Sequence, residues 1–163
     1  EIKMDNVIYK EKIFSKGLVV LLGTITLGVL SMFVVQLICG PLGQKPAPDS
    51  VYLVMVIFFL LITWNFSFLT IRITNEEISV KYGLFGKTIL WKDVLVCEKD
   101  ELNYFYGYGI RFGKYKSSWI WIYNVIGLDR IVFLTRNNKP KGLLFSTARI
   151  SEIEAIAANR IGK

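Results

Sequence analysis

The chain has 163 residues, 53% hydrophobic and 20% charged, with 20 Lys and Arg against 13 Asp and Glu, a net charge of +7. Its mean hydropathy of +0.44 is high for a soluble domain and directs attention to a membrane. There is no histidine, the commonest general base, and neither of the two cysteines, Cys39 and Cys97, has a metal-ligand neighbour at a recognisable spacing.

Residues 1–16 hold Lys3, Lys10, Lys12 and Lys16. In "YKEKIFSK" (9–16), Lys10, Lys12 and Lys16 stand beside Tyr9, Ile13 and Phe14 just before an uncharged run. This segment reads as a basic interfacial arm, each cation contributing about 1 kcal/mol toward anionic lipid headgroups. A plain positive-inside anchor is the alternative. The sequence begins at Glu1 without a methionine, so the natural start is expected upstream or after processing.

Residues 17–39 and 51–70 are uncharged. About 20 apolar residues at 1.5 Å each cross a hydrocarbon core about 30 Å thick. A buried core helix or a signal peptide is the bland alternative, but a signal core is only about 7–15 residues long. Two long runs this close together predict a transmembrane hairpin. The loop at 40–50 holds three of the four prolines and two glycines, which stop both helices. Thr24 and Gly28 form a small-xxx-small pair that permits close helix packing. Tyr52 and Trp64 are candidate interfacial aromatics, and Gln36 and Asn65 are polar residues near opposite faces of the bilayer. No charged residue lies mid-membrane to carry an ion path or proton relay.

Lysine and arginine set the orientation. The loop carries Lys45 alone, whereas 15 basic and nine acidic residues follow Thr70. Both termini are therefore expected in the cytoplasm, with the chain in the inner membrane and Cys39 and Cys97 on opposite sides, unable to form a disulfide. A basic chain can bind nucleic acid. One held at a membrane has a nearer partner in the anionic inner leaflet, so no nucleic acid is expected.

From residue 68 the apolar pattern alternates. Strands are predicted at 68–74, 77–83, 87–91, 94–99, 104–112, 119–123, 130–135 and 142–145, with turns at 74–77, 83–86 and 136–141. Ile78, Val80 and Tyr82 share one face, Ser79 and Lys81 the other, the pattern of a half-buried strand. Seven or eight short strands imply an antiparallel barrel or sandwich. A final helix would place Ile150, Ile153, Ala157 and Ile161 on one side, with Ile156 nearby. Its signals are Ser151 with Glu154, or Thr147, at the start, and Gly162 at the end. The fold class is thus α+β: hairpin at 17–70, cytoplasmic domain at 71–163.

"YFYGYGIRFG" (104–113) raises the question of a phosphate loop. Gly107, Gly109 and Gly113 miss the dinucleotide spacing by one position, and strand-like residues follow in place of a helix. The Walker spacing fails as well. A bent strand is the better reading, with Tyr104, Tyr106 and Tyr108 on one face. Arg111 is read as a solvated strand residue or acid partner in preference to a ligand anchor. In "WIWIY", Trp119, Trp121 and Tyr123 project to one side, Ile120 and Ile122 to the other, so both faces need cover from the bilayer or a partner. Tyr104, Tyr106, Tyr108, Trp119 and Trp121 are the candidate partner-binding residues. The paired carboxylates Glu76–Glu77 and Asp100–Glu101 sit in turns, and Ser117, Ser118 and Ser146 have no base beside them.

The matches at Ile73, Thr74, Ile78, Val80, Gly83, Asp93, Val94, Gly109, Ile110, Arg111, Ser146 and Ile153 give the chain a family likeness. Over residues 68–161, with the preceding hairpin, it resembles the prokaryotic membrane-anchored PH-like domain proteins. The resemblance implies a seven-stranded PH-like barrel capped by a C-terminal helix. It does not imply phosphoinositide binding, and it supplies no catalytic residues.

The expectation is a non-catalytic accessory or assembly module, without cofactor or metal, that binds an integral membrane protein complex or itself. The alternative is a peripheral sensor of anionic lipid through Lys10, Lys12 and Lys16; a membrane enzyme comes last.

Overall fold

The computed structural model describes residues 6–41, 43, 47–101, 107–136 and 141–161. Its first element is a strand, β1 (Val7–Phe14), where the sequence reading has an interfacial arm. Tyr9, Glu11 and Ile13 point inward and are buried; Ile8, Lys10, Lys12 and Phe14 are exposed. The lysines that resemble a membrane anchor are thus the solvent side of a two-faced strand.

Two helices follow, α1 (Lys16–Cys39) and α2 (Asp49–Phe66). At 1.5 Å per residue they are about 36 and 27 Å long. Both are long and apolar enough to cross a membrane. In α2 only Val56 is buried, and in α1 only Thr26 and Gln36, so neither is a core helix of the β domain. Gln36 donates through Nε2 to Ala47 O (2.9 Å) and Asp49 Oδ1 (2.6 Å), and Phe33 stacks on Tyr52 with centroids 6.1 Å apart. Thr24 and Gly28 do not join this contact. Both are exposed, Thr24 donates to its own helix at Val20 O (2.9 Å), and nothing lies within 4 Å of where a Gly28 Cβ would be.

α2 ends four residues before the uncharged run does, because Phe68 already belongs to β2 (Phe68–Thr74). β2 returns antiparallel along β1, from Phe14↔Phe68 to Tyr9↔Ile73. One residue, Ser15 or Ser67, joins each helix to its strand, and Ser15 N donates to Ser67 O at 2.8 Å. β3 (Glu77–Tyr82) and β4 (Phe85–Leu90) complete a four-stranded antiparallel sheet ordered β1-β2-β3-β4.

A 3₁₀ turn at Trp91–Asp93 leads into the second sheet. It holds β5 (Val94–Lys99), β6 (Gly109–Tyr115), β7 (Ser118–Asn124), β8 (Asp129–Thr135) and β9 (Gly142–Thr147), in the order β5-β8-β9-β7-β6. β7 and β9 run parallel, with Trp121 opposite Leu143 and Tyr123 opposite Phe145. Eight strands, β2–β9, follow from residue 68 as the alternation implies, and β1 is an addition. Two expectations change: one pairing is parallel, and among the described residues the sheets form two layers and do not close into a barrel.

The main core lies between the sheets. Leu69, Ile71, Ile73, Ile78, Val80 and Tyr82 meet Ile131, Phe133, Leu143 and Phe145. α3 (Ile150–Ala158) adds Ile153 and Ala157. Its N-cap is Arg149 and no side-chain cap forms, so the Ser151–Glu154 capping box is absent; Gly162 lies outside the described residues. Ile120 and Ile122 pack into a second cluster with Tyr115, Val132 and Leu144, so the isoleucine face of β7 is covered.

Candidate interaction surface

Strand register fixes what surrounds the helix ends. Ile13, Leu69, Tyr82 and Phe85 form one row across the first sheet. Gly83 and Leu84, the β3–β4 turn, therefore lie level with Phe14 and Phe68, the last paired residues before the helices. Leu84 N donates to Asn65 Oδ1 in the final turn of α2 at 2.9 Å. Gly83 has φ +47, and a Cβ there would strike Asn65. Only glycine suits this close, left-handed turn.

A cleft of about 530 Å³ opens at this end, lined by Phe66, Phe85, Lys87, Ile110, Trp121 and Tyr123 among others. Phe66 stacks on Phe85 (5.9 Å) and tilts against Tyr82 (5.7 Å); Tyr82 stacks on Tyr123 (6.4 Å) and donates to Asn124 O (3.0 Å). Burial pushes the phenols of Tyr82 and Tyr123 up to about 12, so both stay neutral at ordinary pH. The wall is aromatic, with Lys87 as its cation.

The aromatic row continues along β7 and loses its cover. Tyr123 is buried, Trp121 half-buried and Trp119, on the same side, 55% exposed. Phe112 on the edge strand β6 stacks on Trp119 (5.2 Å, 10°) and meets Trp121 edge-on (5.5 Å). The sequence reading places Trp119 and Trp121 correctly on one side. It misses Phe112, whose contribution depends on the pairing Phe112↔Trp121.

The outer face of the first sheet is basic. Lys12, Thr70 and Lys81 form one row; Lys10, Arg72, Ser79 and Thr88 form the next. Lys10, Lys12, Arg72 and Lys81 are exposed, and Lys12 Nζ lies 4.0 Å from the centroid of the Phe68 ring. Arg72 and Lys81 escape sequence reasoning because only the pairing of β1 with β2 gathers them beside Lys10 and Lys12. Lys16 opens α1 and stands off the sheet.

Tyr108 does not join the tryptophan row. It is half-buried, and its ring lies against Gly17 at the start of α1. Tyr104 and Tyr106 lie outside the described residues. Gly107 (φ +67) and Gly109 (φ +76) make the bend before β6. Asn124 Nδ2 donates to Gly107 O, and the exposed Arg111 packs its guanidinium against Gly107.

Several interior polar groups are occupied structurally. The buried Glu11 accepts from Tyr9 Oη and Thr147 Oγ1 at Oε2 (both 2.7 Å) and from Ala148 N at Oε1 (3.1 Å). Ser146 Oγ accepts from Val125 N and donates to Asn124 Oδ1, each at 2.9 Å. Arg130 Nε pairs with the buried Asp100 Oδ2 at 2.8 Å. Glu76 N and Glu77 N donate to Thr74 Oγ1, which makes that acidic pair a turn. Burial, reinforced by Glu154 and Glu98, pushes the Cys97 thiol up to about 12, far from a reactive thiolate. Among the described residues no three His, Cys, Asp or Glu are grouped to hold a metal ion.

A second cleft of about 550 Å³, lined by Asn75, Trp91, Lys92, Asn159 and Arg160, sits by the β2–β3 turn, at the opposite end of the first sheet. Arg160 fills part of it by donating to Asn75 O at 2.6 Å. The chain matches no protein-family model, no curated protein and no solved structure.

Proposed function

We propose that α1 and α2 form a transmembrane hairpin and that the two sheets are a non-catalytic module on its cytoplasmic side, serving as an accessory or assembly subunit of a membrane protein complex. The observation that carries this reading is the aromatic row Tyr123–Trp121–Trp119 with Phe112, which passes from buried to exposed as it leaves the cleft at the helix ends. Large uncovered apolar patches mark interaction sites, and aromatic side chains dominate the centres of protein interfaces. The single-residue joints at Ser15 and Ser67 keep the first sheet close to the helix ends. The four-stranded sheet and the closing helix α3 support the PH-like resemblance as part of the proposal, with the extra strands and the parallel β7–β9 pair as departures from it.

The test is purification of the full chain from native membranes in mild detergent, with mass determination of the complex. A partner, or a second copy, should accompany it at fixed stoichiometry and be released by Phe112→Ala with Trp119→Ala, while the unfolding midpoint stays unchanged. A lone monomer in both forms would overturn the reading.

The basic face of Lys10, Lys12, Arg72 and Lys81 favours a second reading, sensing of anionic lipid. Lys12 stands two residues, about 7 Å, from the end of β1, within a Debye length of about 10 Å at 0.1 M salt. The fragment 71–163 would lack β1 and part of β2, so the whole chain is required. Reconstituted protein should enrich phosphatidylglycerol around itself at low salt, and Lys10→Gln with Lys12→Gln and Lys81→Gln should abolish this. Indifference to salt and to these changes would remove the second reading.

A further inference from the structure

We propose that the β3–β4 turn, Leu84–Phe85, enters the bilayer interface as a third apolar contact beside the two helices, with phospholipid as its occupant. The proposal rests on the transmembrane reading of α1 and α2. Its argument is one of depth. α2 has 18 residues, about 27 Å of helix, against a hydrocarbon core about 30 Å thick. It has no length to spare, so Asn65 and Phe66 stand at the hydrocarbon edge. Leu84 N is hydrogen-bonded to the Asn65 side chain, and the turn is held at that same depth.

The side chains suit the place. Leu84 is 92% exposed and Phe85 58%, and among the described residues no large apolar side chain is more exposed than Leu84. In water this tip would be an unexplained apolar cost; against lipid it is a favourable one. Gly83, Leu84, Phe85 and Gly86 include no acid, and Lys81 and Lys87 flank them. Lysines in such positions lay their stems along apolar surface and raise their ammonium groups to the phosphates. Phe66 stacks on Phe85, so apolar side chains run from α2 into the turn. The exposed Phe14 and Phe68, 5.3 Å apart, belong to the same rim. The asymmetry between the sheet's two ends supports this placement. At the opposite end, the second cleft is lined by Asn75, Lys92, Asn159 and Arg160 beside Trp91.

The test uses the full chain carrying Cys39→Ser and Cys97→Ala, reconstituted alone in phosphatidylcholine–phosphatidylglycerol vesicles. A polarity-sensitive fluorophore is attached at Leu84→Cys, at Lys92→Cys as the distal reference, or at Leu30→Cys within α1. The Leu84 label should emit to the blue of the Lys92 label and be quenched by nitroxide-bearing lipid. The unlabelled Leu84→Cys thiol should react with a charged maleimide about tenfold or more slowly than Lys92→Cys, because apolar surroundings disfavour the reactive thiolate and a charged reagent does not enter the acyl region. A Leu84 label that matches Lys92 while Leu30 reports lipid overturns this inference and leaves the hairpin standing. A Leu30 label in water overturns the hairpin and the inference with it.

Discussion

Replacing Glu11 tests how the first strand is held. Its carboxylate is buried, yet it accepts three hydrogen bonds, from Tyr9, Thr147 and Ala148. Two of the donors belong to the β9–α3 junction, more than 130 residues away along the chain. Hydrogen bonds to a charged group contribute about 1.5–3 kcal/mol each, and a stranded buried donor costs about 1–3 kcal/mol. In Glu11→Ala the Tyr9 hydroxyl can turn to Thr147 Oγ1, already 3.5 Å away, which leaves Ala148 N–H and one hydroxyl without an acceptor. The desolvation cost of the buried charge is recovered. The net loss comes to about 2–4 kcal/mol. Glu11→Gln keeps the shape and one acceptor, which can face Ala148 N while the hydroxyls rotate to accept from its amide, so about 1–2 kcal/mol is expected. Denaturant unfolding in mild detergent, followed by tryptophan fluorescence, measures both; Trp91 reports on the main core, edge-on to Phe133 at 5.9 Å. An alanine variant within about 0.5 kcal/mol of the parent, the range of neutral surface changes, would refute the account. So would a glutamine variant as costly as alanine.

Ser146→Ala strands Val125 N and Asn124 Oδ1 and should cost about 1–3 kcal/mol in the same unfolding assay. Gly83→Ala, which forces a Cβ onto Asn65 at φ +47, should cost about 1–3 kcal/mol and expose the Leu84 amide to hydrogen exchange. Alkaline titration should couple tyrosine ionisation to unfolding. Burial raises Tyr9, Tyr82 and Tyr123 in the folded state to about 12, against 10 for a free phenol. The folded chain therefore holds these protons longer, and the associated stability is complete below pH 10 and declines as the pH rises from 10 through 12. In that window three of the eight tyrosines should ionise only as near-ultraviolet dichroism is lost, and ionisation of all eight in a still-folded chain would contradict the burial.

The two helices were legible because a long uncharged apolar run satisfies its own backbone most simply by coiling into a helix. Their boundary with the sheet was not, since Phe68, Leu69 and Thr70 continue the apolar run after the backbone has become a strand. β1 was hidden for a different reason. Its inward face reads Tyr9, Glu11, Ile13, and the buried glutamate interrupts the alternation by which a strand is recognised. Its partner strand also lies beyond both helices. Ile78, Val80 and Tyr82 fell on one face as the alternation implies, as did Trp119, Trp121 and Tyr123. The uneven cover over the second trio was invisible, because it depends on where the opposing sheet ends. Two sheets in place of a barrel, and the parallel β7–β9 pair, are non-local pairings that no local pattern encodes. Thr24 and Gly28 had a correct spacing and no local means of showing which way they face.

The strand that precedes the hairpin has a consequence for how the chain is made. β1 leaves the ribosome before either helix, yet residues 15–67 must follow before β2 can pair with it, and Thr147 and Ala148 must appear before Glu11 is satisfied. Completion of the α1–α2 hairpin thus becomes a step in folding the sheet, since only a finished hairpin returns β2 to β1. Until then β1 offers an unpaired edge and a carboxylate still in water, and contacts this distant in sequence form late. A chain whose second helix fails to turn back would keep β2 from its partner and leave the core row Leu69, Ile71 and Ile73 exposed. On the proposed transmembrane reading, the fold would report on the success of its own membrane integration.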